Sequence, residues 1–239
     1  MSEPLRPPHR LLIHGASGRM GQTLLRLAAE REDLRVVAAV APPTAETGLS
    51  GTPFHPAADL EHVPAFDVAV DFSLPLAFDA ILALCDRRGA AFISGTTGLA
   101  AQQRAELQTV AKRVPVLWSA NFSLGVAVLD ELVERAAEAL RGWDCDIVEA
   151  HHTRKLDAPS GTALALGAAA QRGGADPRYA SLRAGDIVGE HLVQFAGPGE
   201  RIELIHRATN RDIFARGALH AAARIAGRPP GNYRLRDLL

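Results

Sequence analysis

An α/β fold with a parallel sheet, joined to a smaller α+β unit on a mixed sheet, is what this 239-residue sequence predicts. Three observations carry the prediction. Short apolar runs alternate with helical segments from Leu11 to Phe122, the pattern of a parallel sheet with right-handed crossovers. A glycine-spaced turn joins the first of these runs to the first helix. Beyond Asp144 the alternation stops, and β runs follow one another, as in an antiparallel or mixed sheet of a second domain.

Leu11-Leu12-Ile13-His14 is a short apolar run that stops at Gly15, as a buried strand does. Gly15-Ala16-Ser17-Gly18-Arg19-Met20-Gly21 then opens an amphipathic segment, Met20 to Arg31. In this strand, turn and helix context the glycines are those of a Rossmann-type dinucleotide site. Gly15 allows the tight turn, Gly18 lets backbone approach a pyrophosphate, and Gly21 lets helix and strand pack closely. Arg19 is placed either to reach a phosphate or to lie solvated in the first helical turn. Leu34 to Val40 is the second strand. A NAD site usually puts an acid at the end of this strand, to accept from the ribose 2′-OH. Here the chain runs into Ala41-Pro42-Pro43-Thr44, with neither acid nor arginine, so the choice between NADH and NADPH stays open.

Residues 42–65 are rich in Pro, Gly and Thr without a sustained period and read as loop. Val68 to Phe72 is a third strand, and Pro75 to Arg88 a helix with proline in its first turn, where a missing N–H is harmless. Ala90 to Ser94 is a strand ending in Gly95-Thr96-Thr97-Gly98, before a helix from Ala100 to Lys112. Taken alone, that turn also fits a helix cap, the lesser of its two readings. Val114 to Trp118 is a fifth strand, followed by Ser119-Ala120-Asn121-Phe122. Ligands of parallel sheets bind at the carboxyl ends of strands, so the turns at 15–21, 95–97 and 119–122 should share one cleft. Ser123 caps a long helix, Leu124 to Leu140, and Asp144 to His151 is a strand. Asp186 to Phe195 and Arg201 to Thr209 are β runs joined by Gly197-Pro198-Gly199, a hairpin signal. Asp212 to Ala226 is a last amphipathic helix, which packs back on the first domain.

The densest chemistry lies in Glu149–Ala163, which reads E-A-H-H-T-R-K-L-D-A-P-S-G-T-A. It gathers His151, His152, Arg154, Lys155 and Asp157. Ser160 is the natural N-cap of a helix running through Leu164 to Gln171, and the Gly161 and Thr162 N–H groups would point outward from its end. Such an end binds anions. Glu149 and Asp157 read only as groups that orient imidazoles or cap backbone. A net charge of −1 gives no electrostatic case for nucleic acid or an anionic membrane surface. The apolar runs are too short to span a bilayer, and Met1 to Arg10 lacks the apolar core of a secretory signal. The two cysteines, Cys85 and Cys145, form no C-x-x-C or Cys/His cluster, so no metal site is expected. A soluble cytoplasmic protein is the expectation.

Five stretches give the chain, nearly end to end, a resemblance to the 4-hydroxy-tetrahydrodipicolinate (dihydrodipicolinate) reductase family of lysine and diaminopimelate biosynthesis. They are G-A-S-G-R-M-G at 15–21, G-T-T-G at 95–98, N-F-S at 121–123, E-A-H-H-x-x-K-x-D-A-P-S-G-T-A, and R-A-G-D-I-V-G-E-H at 183–191. The resemblance implies an NADH- or NADPH-dependent oxidoreductase acting on a cyclic imine dicarboxylate. It puts the cofactor on Gly15, Ala16, Ser17, Gly18, Arg19, Met20, Gly95, Thr96, Thr97, Ser119, Ala120, Asn121 and Phe122. His151 falls on the family's proton donor/acceptor and Lys155 on its proton donor. His152, Ser160, Gly161 and Thr162 fall on its substrate contacts. The implied division is 1–122 with 211–239 as the dinucleotide-binding domain and 123–210 as the substrate-binding and oligomerisation domain, in a homotetramer. Two features depart from the family: Ala41-Pro42 replaces its acid and neighbouring arginine, and the segment between Gln171 and Arg183 is short.

The expected mechanism is hydride addition to the ring carbon conjugated with C=N, followed by a proton. Histidine suits that proton because an imidazole's ordinary pKa of about 6.5 lies near working pH. With the two sites on different domains, closure should precede chemistry. A different Rossmann dehydrogenase would explain the glycine turn but not His-His-x-x-Lys. A non-enzymatic NAD sensor predicts no proton donor opposite the cofactor.

Overall fold

The computed structural model describes residues 7–42 and 52–239. Part of the N-terminal stretch read for a signal and the Pro43-Thr44 corner lie outside them. The chain divides into two units, Met1–Phe122 with Phe214–Leu239, and Ser123–Ile213.

In the first unit β1 (His9–His14), α1 (Arg19–Ala28), β2 (Leu34–Ala41), β3 (Phe54–Pro56), β4 (Val68–Asp71), α2 (Pro75–Arg88), β5 (Ala91–Ser94), α3 (Ala101–Val110) and β6 (Pro115–Trp118) follow in turn. The central strands are buried on both faces; Leu11, Leu12 and Ile13 have no exposed surface, which is why β1 reads as a continuous apolar run. The described part of the segment read as loop, from Thr52 onward, holds regular elements. β3 pairs parallel to β2, with His55 opposite Val40. A 3-10 helix, Ala57–His62, then brings Leu60 into the core, and Val63 and Phe66 follow it there beside Phe78, Ile81 and Phe92. Three strand residues and an irregular 3-10 turn present no period long enough to recognise.

The second unit holds α4 (Leu124–Ala139), β7 (Asp144–His151), α5 (Gly161–Arg172), β8 (Pro177–Arg183), β9 (Gly189–Gly197) and β10 (Glu200–Ala208). Its sheet runs β10-β9-β7-β8. β9 pairs antiparallel with both β10 and β7, while β8 lies parallel to β7. The sheet is therefore mixed, because β7, α5 and β8 form a parallel crossover. β8 is absent from the sequence reading: an edge strand with five consecutive exposed residues carries no alternation. One sheet face buries Cys145, Ile147, Val193 and Phe195 against Leu129 and Val133 of α4 and Leu166 of α5. On the other, Val148, Leu192 and Ile205 stand opposite one another across three strands, and Val148, Leu182 and Ile205 are exposed.

The chain then returns to the first unit from Phe214 through α6 (Asp212–Ile225) and β11 (Gly231–Tyr233). Gly217 makes α6's approach possible, since a Cβ there would collide with the Phe122 carbonyl. β11 pairs with β6 and completes a seven-stranded parallel sheet ordered β11-β6-β5-β4-β1-β2-β3. Cys85 and Cys145 are buried, and burial pushes the Cys145 thiol up to about 11 and that of Cys85 further. Among the described residues no helix is long and apolar enough to cross a membrane.

Candidate active site

Each unit carries one polar constellation. The first lies at the carboxyl end of the parallel sheet. Gly15 has φ +79°, and a Cβ on it would press on the Phe72 carbonyl at 2.7 Å. Its N–H and that of Ala16 donate to the Val40 carbonyl at 3.0 and 2.9 Å, hanging the turn from β2. A Cβ on Gly21 would run into the Gly15 carbonyl, so α1 lies this close to the turn only with glycine there. α1 opens at Gly18 with no side-chain cap and no acid in its first turn, an end that attracts an anion.

Two clefts adjoin this helix end. One, of about 240 Å³, is lined by Gly18, Arg19, Met20, Gly95, Thr96 and Thr97 together with the Phe72–Pro75 turn. The other, of about 460 Å³, includes His14, Gly15, Ser17, Gly18 and the Val40–Pro42 corner. Ala16 is buried and lines neither. Ser119 to Phe122 also line neither, but they attach nearby. The Ser119 N–H donates to the Ser94 carbonyl at 3.1 Å, and the Phe122 ring lies 5.5 Å from that of Phe72. The 95–97 turn is not the cap of α3, whose N-cap is Ala100.

Buried Asp71 ties these loops together. Its Oδ1 accepts from His14 Nδ1 at 2.8 Å and the Ser73 N–H at 3.1 Å; its Oδ2 accepts from the Ser94 and Thr96 hydroxyls, both at 2.8 Å. Burial would raise this carboxyl, but those hydrogen bonds, His14 first, hold it below the usual carboxylate range. An ionised carboxylate only accepts, so the His14 proton sits on Nδ1. The Thr96 hydroxyl is turned inward, leaving its backbone to line the cleft.

The second constellation starts on β7. Glu149 and His151 are two residues apart and share the buried face of the strand. Glu149 Oε2 lies 2.5 Å from His151 Nδ1. Arg183, opposite His151 on β8, donates Nη1 to Oε2 at 2.9 Å and Nη2 to Oε1 at 2.7 Å. The Ser160 N–H donates to Oε1 at 3.3 Å. Burial pushes the Glu149 carboxyl up, but hydrogen bonds from Arg183, then Ser181 and His151, bring it down to about 2. The carboxylate therefore holds a proton on His151 Nδ1 and leaves Nε2 as the ring atom for proton transfer. Gly189 makes room for that atom, since a Cβ there would sit 3.0 Å from it.

His191 packs edge-on to His151, with centroids 5.2 Å apart, and its Nε2 lies 3.1 Å from Ser160 Oγ. That oxygen caps α5 by accepting from the Ala163 N–H at 3.2 Å. Its cross-strand partner His206 lies 3.2 Å from Ser123 Oγ, which caps α4 through the Val126 N–H in the same way. Burial, then the neighbouring imidazoles, lowers His191 to about 4, and burial also lowers His206. Both are neutral hydrogen-bonding rings near pH 7.

The loop beyond β7 carries the rest. Lys155 Nζ pairs with Asp157 at 2.8 Å. Arg183 donates to the Lys155 and Asp157 carbonyls at 3.3 and 2.5 Å and so fixes the loop as well as Glu149. His152 Nε2 accepts from Arg211 Nη2 at 3.2 Å; burial first, then the Arg154 and Arg211 charges, lowers its pKa. A Cβ on Gly161 would meet open space, so the start of α5 is approachable. Sequence reasoning read Glu149 only as a group that orients imidazoles or caps backbone, and gave no role to Arg183, His191, Arg211, His14 or Asp71. The i, i+2 spacing of Glu149 and His151 was a usable signal; Arg183 and His191 arrive on other strands. Among the described residues, no group of three or more His, Cys, Asp or Glu is arranged to hold a metal.

The glycine turn on a parallel sheet, carried beside a separate mixed sheet, puts the chain in the class of two-unit proteins with a Rossmann-type dinucleotide-binding fold. Residues 9–122 match the family profile described as dihydrodipicolinate reductase, N-terminus, and residues 125–239 its C-terminus. The chain belongs to the dihydrodipicolinate reductase family. It is 70% identical to the 4-hydroxy-tetrahydrodipicolinate reductase of Stenotrophomonas maltophilia (strain R551-3), over 97% of this chain and 98% of that one. It is 62% identical to the enzyme of the same name from Xylella fastidiosa (strain 9a5c), over 96% and 98%. The solved dipicolinate-bound dihydrodipicolinate reductase from Paenisporosarcina sp. TG-14 shares the fold, with a TM-score of 0.81 at 21% identity over 97% of this chain and 100% of that one.

Proposed function

We propose that this chain reduces 4-hydroxy-tetrahydrodipicolinate to tetrahydrodipicolinate and water with a reduced nicotinamide dinucleotide and one proton, in lysine and diaminopimelate biosynthesis. The observation that carries the reading is the Glu149–His151 pair, a buried carboxylate holding one imidazole nitrogen at 2.5 Å and freeing the other, at the start of a capped helix. The identities to the named reductases support the substrate.

The first unit fits a dinucleotide. Gly18 and the uncapped end of α1 would take the pyrophosphate, Gly95–Thr97 and Ser119–Phe122 the nicotinamide end, and Gly15, Ser17 and the Ala41-Pro42 corner the adenosine end. The bound nicotinamide supplies the hydride. His151 gives up a proton from Nε2, and Glu149 fixes the ring and stabilises its charged form. Lys155, steadied by Asp157, is the second proton donor: it protonates the departing 4-hydroxyl, which leaves as water while one ring proton passes to solvent, so that one proton is taken up in all. Gly161 and Thr162 at the start of α5, with Ser160 and His152, would orient the substrate carboxylates, which favours one ring face for attack.

The apolar row Val148, Leu192 and Ile205, exposed at Val148 and Ile205, supports assembly through this sheet face, which we assign to a homotetramer. The function is tested by following NADH and NADPH oxidation in parallel, with substrate made in situ by the preceding synthase. Oxidation that depends on the synthase product is expected; none with either nucleotide rejects the reading.

A further inference from the structure

We infer that His14 anchors the adenosine ribose and that this chain selects NADH over NADPH; the inference rests on reading the sheet end as the dinucleotide site. His14 ends β1, directly before Gly15. Its register neighbours are Asp71 on one side and Val40 on the other, so the three side chains share a face of the sheet. The His14 side chain is only 3% exposed, yet it lines the cavity that ends at Val40–Pro42. Nδ1 is committed to Asp71. Nε2 has no partner among the described residues and is the ring's remaining polar atom.

The corner where a carboxylate would meet the ribose carries Ala41 and Pro42. Among the described residues lining this cavity, the polar side chains are those of His14, Ser17 and Ser73. A ribose hydroxyl both donates and accepts, so it pairs with Nε2 whether or not that nitrogen is protonated. A 2′-phosphate is different, because it brings a charge near −2 that needs lysine or arginine. No lysine or arginine occurs in the sequence between Arg35 and Arg87, which takes in the end of β2, β3, β4 and most of α2. The His14–Asp71 pair offers no net positive charge in either state of the imidazole, because Asp71 is ionised. Arg19, at the start of α1, lines the other cleft, with Gly95–Thr97.

The test measures dissociation constants by calorimetry for NADH, for NADPH, and for an NADH analogue lacking the adenosine 2′-hydroxyl. Wild type is compared with His14→Asn, whose amide replaces Nδ1 on Asp71 but removes Nε2, and with His14→Gln, which keeps a polar atom near the Nε2 position. Wild type should bind NADH about 10-fold or more tighter than NADPH, the scale of an uncompensated charge. Loss of the 2′-hydroxyl should weaken wild type about 3- to 10-fold, the scale of one hydrogen bond. That effect should vanish in His14→Asn and return in part in His14→Gln; a merely structural role for His14 would leave it in place. Equal affinity for the two nucleotides, or a 2′-hydroxyl effect that persists in His14→Asn, overturns the inference while leaving the dinucleotide site standing. Folded wild-type protein that binds no nucleotide overturns both.

Discussion

Exchanging Glu149 for glutamine keeps the side chain's shape and removes its charge. The carboxyl lies at about 2 against an ordinary 4.5, which corresponds to about 3 kcal/mol in favour of the ionised form within the fold. Glutamine offers one oxygen where Arg183, Ser160 and His151 now share two. The buried site keeps its donors but loses the charge and one oxygen that satisfied them, and the part-exposed Arg183 loses its countercharge, so Glu149→Gln should destabilise the chain by about 2–4 kcal/mol. Its NH₂ group also competes for the His151 contact, which releases the tautomer and withdraws support from the imidazolium. A fall in kcat of about 10²–10⁴ follows. Because the folded-state value is depressed, the carboxylate's contribution to stability is complete above about pH 4.5 and is lost as pH falls towards 2. Chemical denaturation of both proteins at pH 7, 4 and 3 measures this, with kcat read from NAD(P)H absorbance at neutral pH. The gap in unfolding free energy should narrow as pH falls. A gap that is constant with pH, or a kcat within about threefold of wild type, refutes the role given to Glu149.

Three further outcomes are expected. His151→Gln should lower kcat by roughly 10²–10⁴ while nucleotide affinity measured by calorimetry stays within about twofold. Gly21→Ala places a methyl against the Gly15 carbonyl and the Ala16 backbone; it should destabilise the fold by about 1–3 kcal/mol, and thermal melts should lose the upward shift that NADH gives wild type. Val148→Asp puts a charge in the exposed apolar row of the mixed sheet, so light scattering should find a smaller assembly with its melting temperature little changed.

The parallel sheet was legible because its central strands are buried on both faces, and helices in both units were legible where they begin with clear signals. Pro75 stands in the first turn of α2, and Ser123 and Ser160 cap α4 and α5 through their hydroxyls. Three of the four edge strands were not legible: β3 and β11 have three residues each, and β8 is largely exposed. Local motifs likewise named the stretch around His151 but not its supports. Arg183 reaches Glu149 across 34 residues and His191 reaches Ser160 across 31, and no spacing within a motif encodes a partner that only strand pairing brings near. The Asp71 network was hidden for the same reason, since its donors come from the ends of two strands, β1 and β5, and from the turns after β4 and β5.

The Ser123–His206 contact has a structural consequence of its own. Ser123 is where the chain crosses into the mixed-sheet unit, and His206 belongs to the last strand before it leaves. A 3.2 Å bond thus clasps the way in to the way out, and its twin between Ser160 and His191 hangs from the next strand over. Sliding β10 by one residue would turn His206 to the opposite side of the sheet and undo the clasp and the start of α4 together. The two imidazoles thus act as a gauge of correct strand alignment, since each meets its serine only in this register.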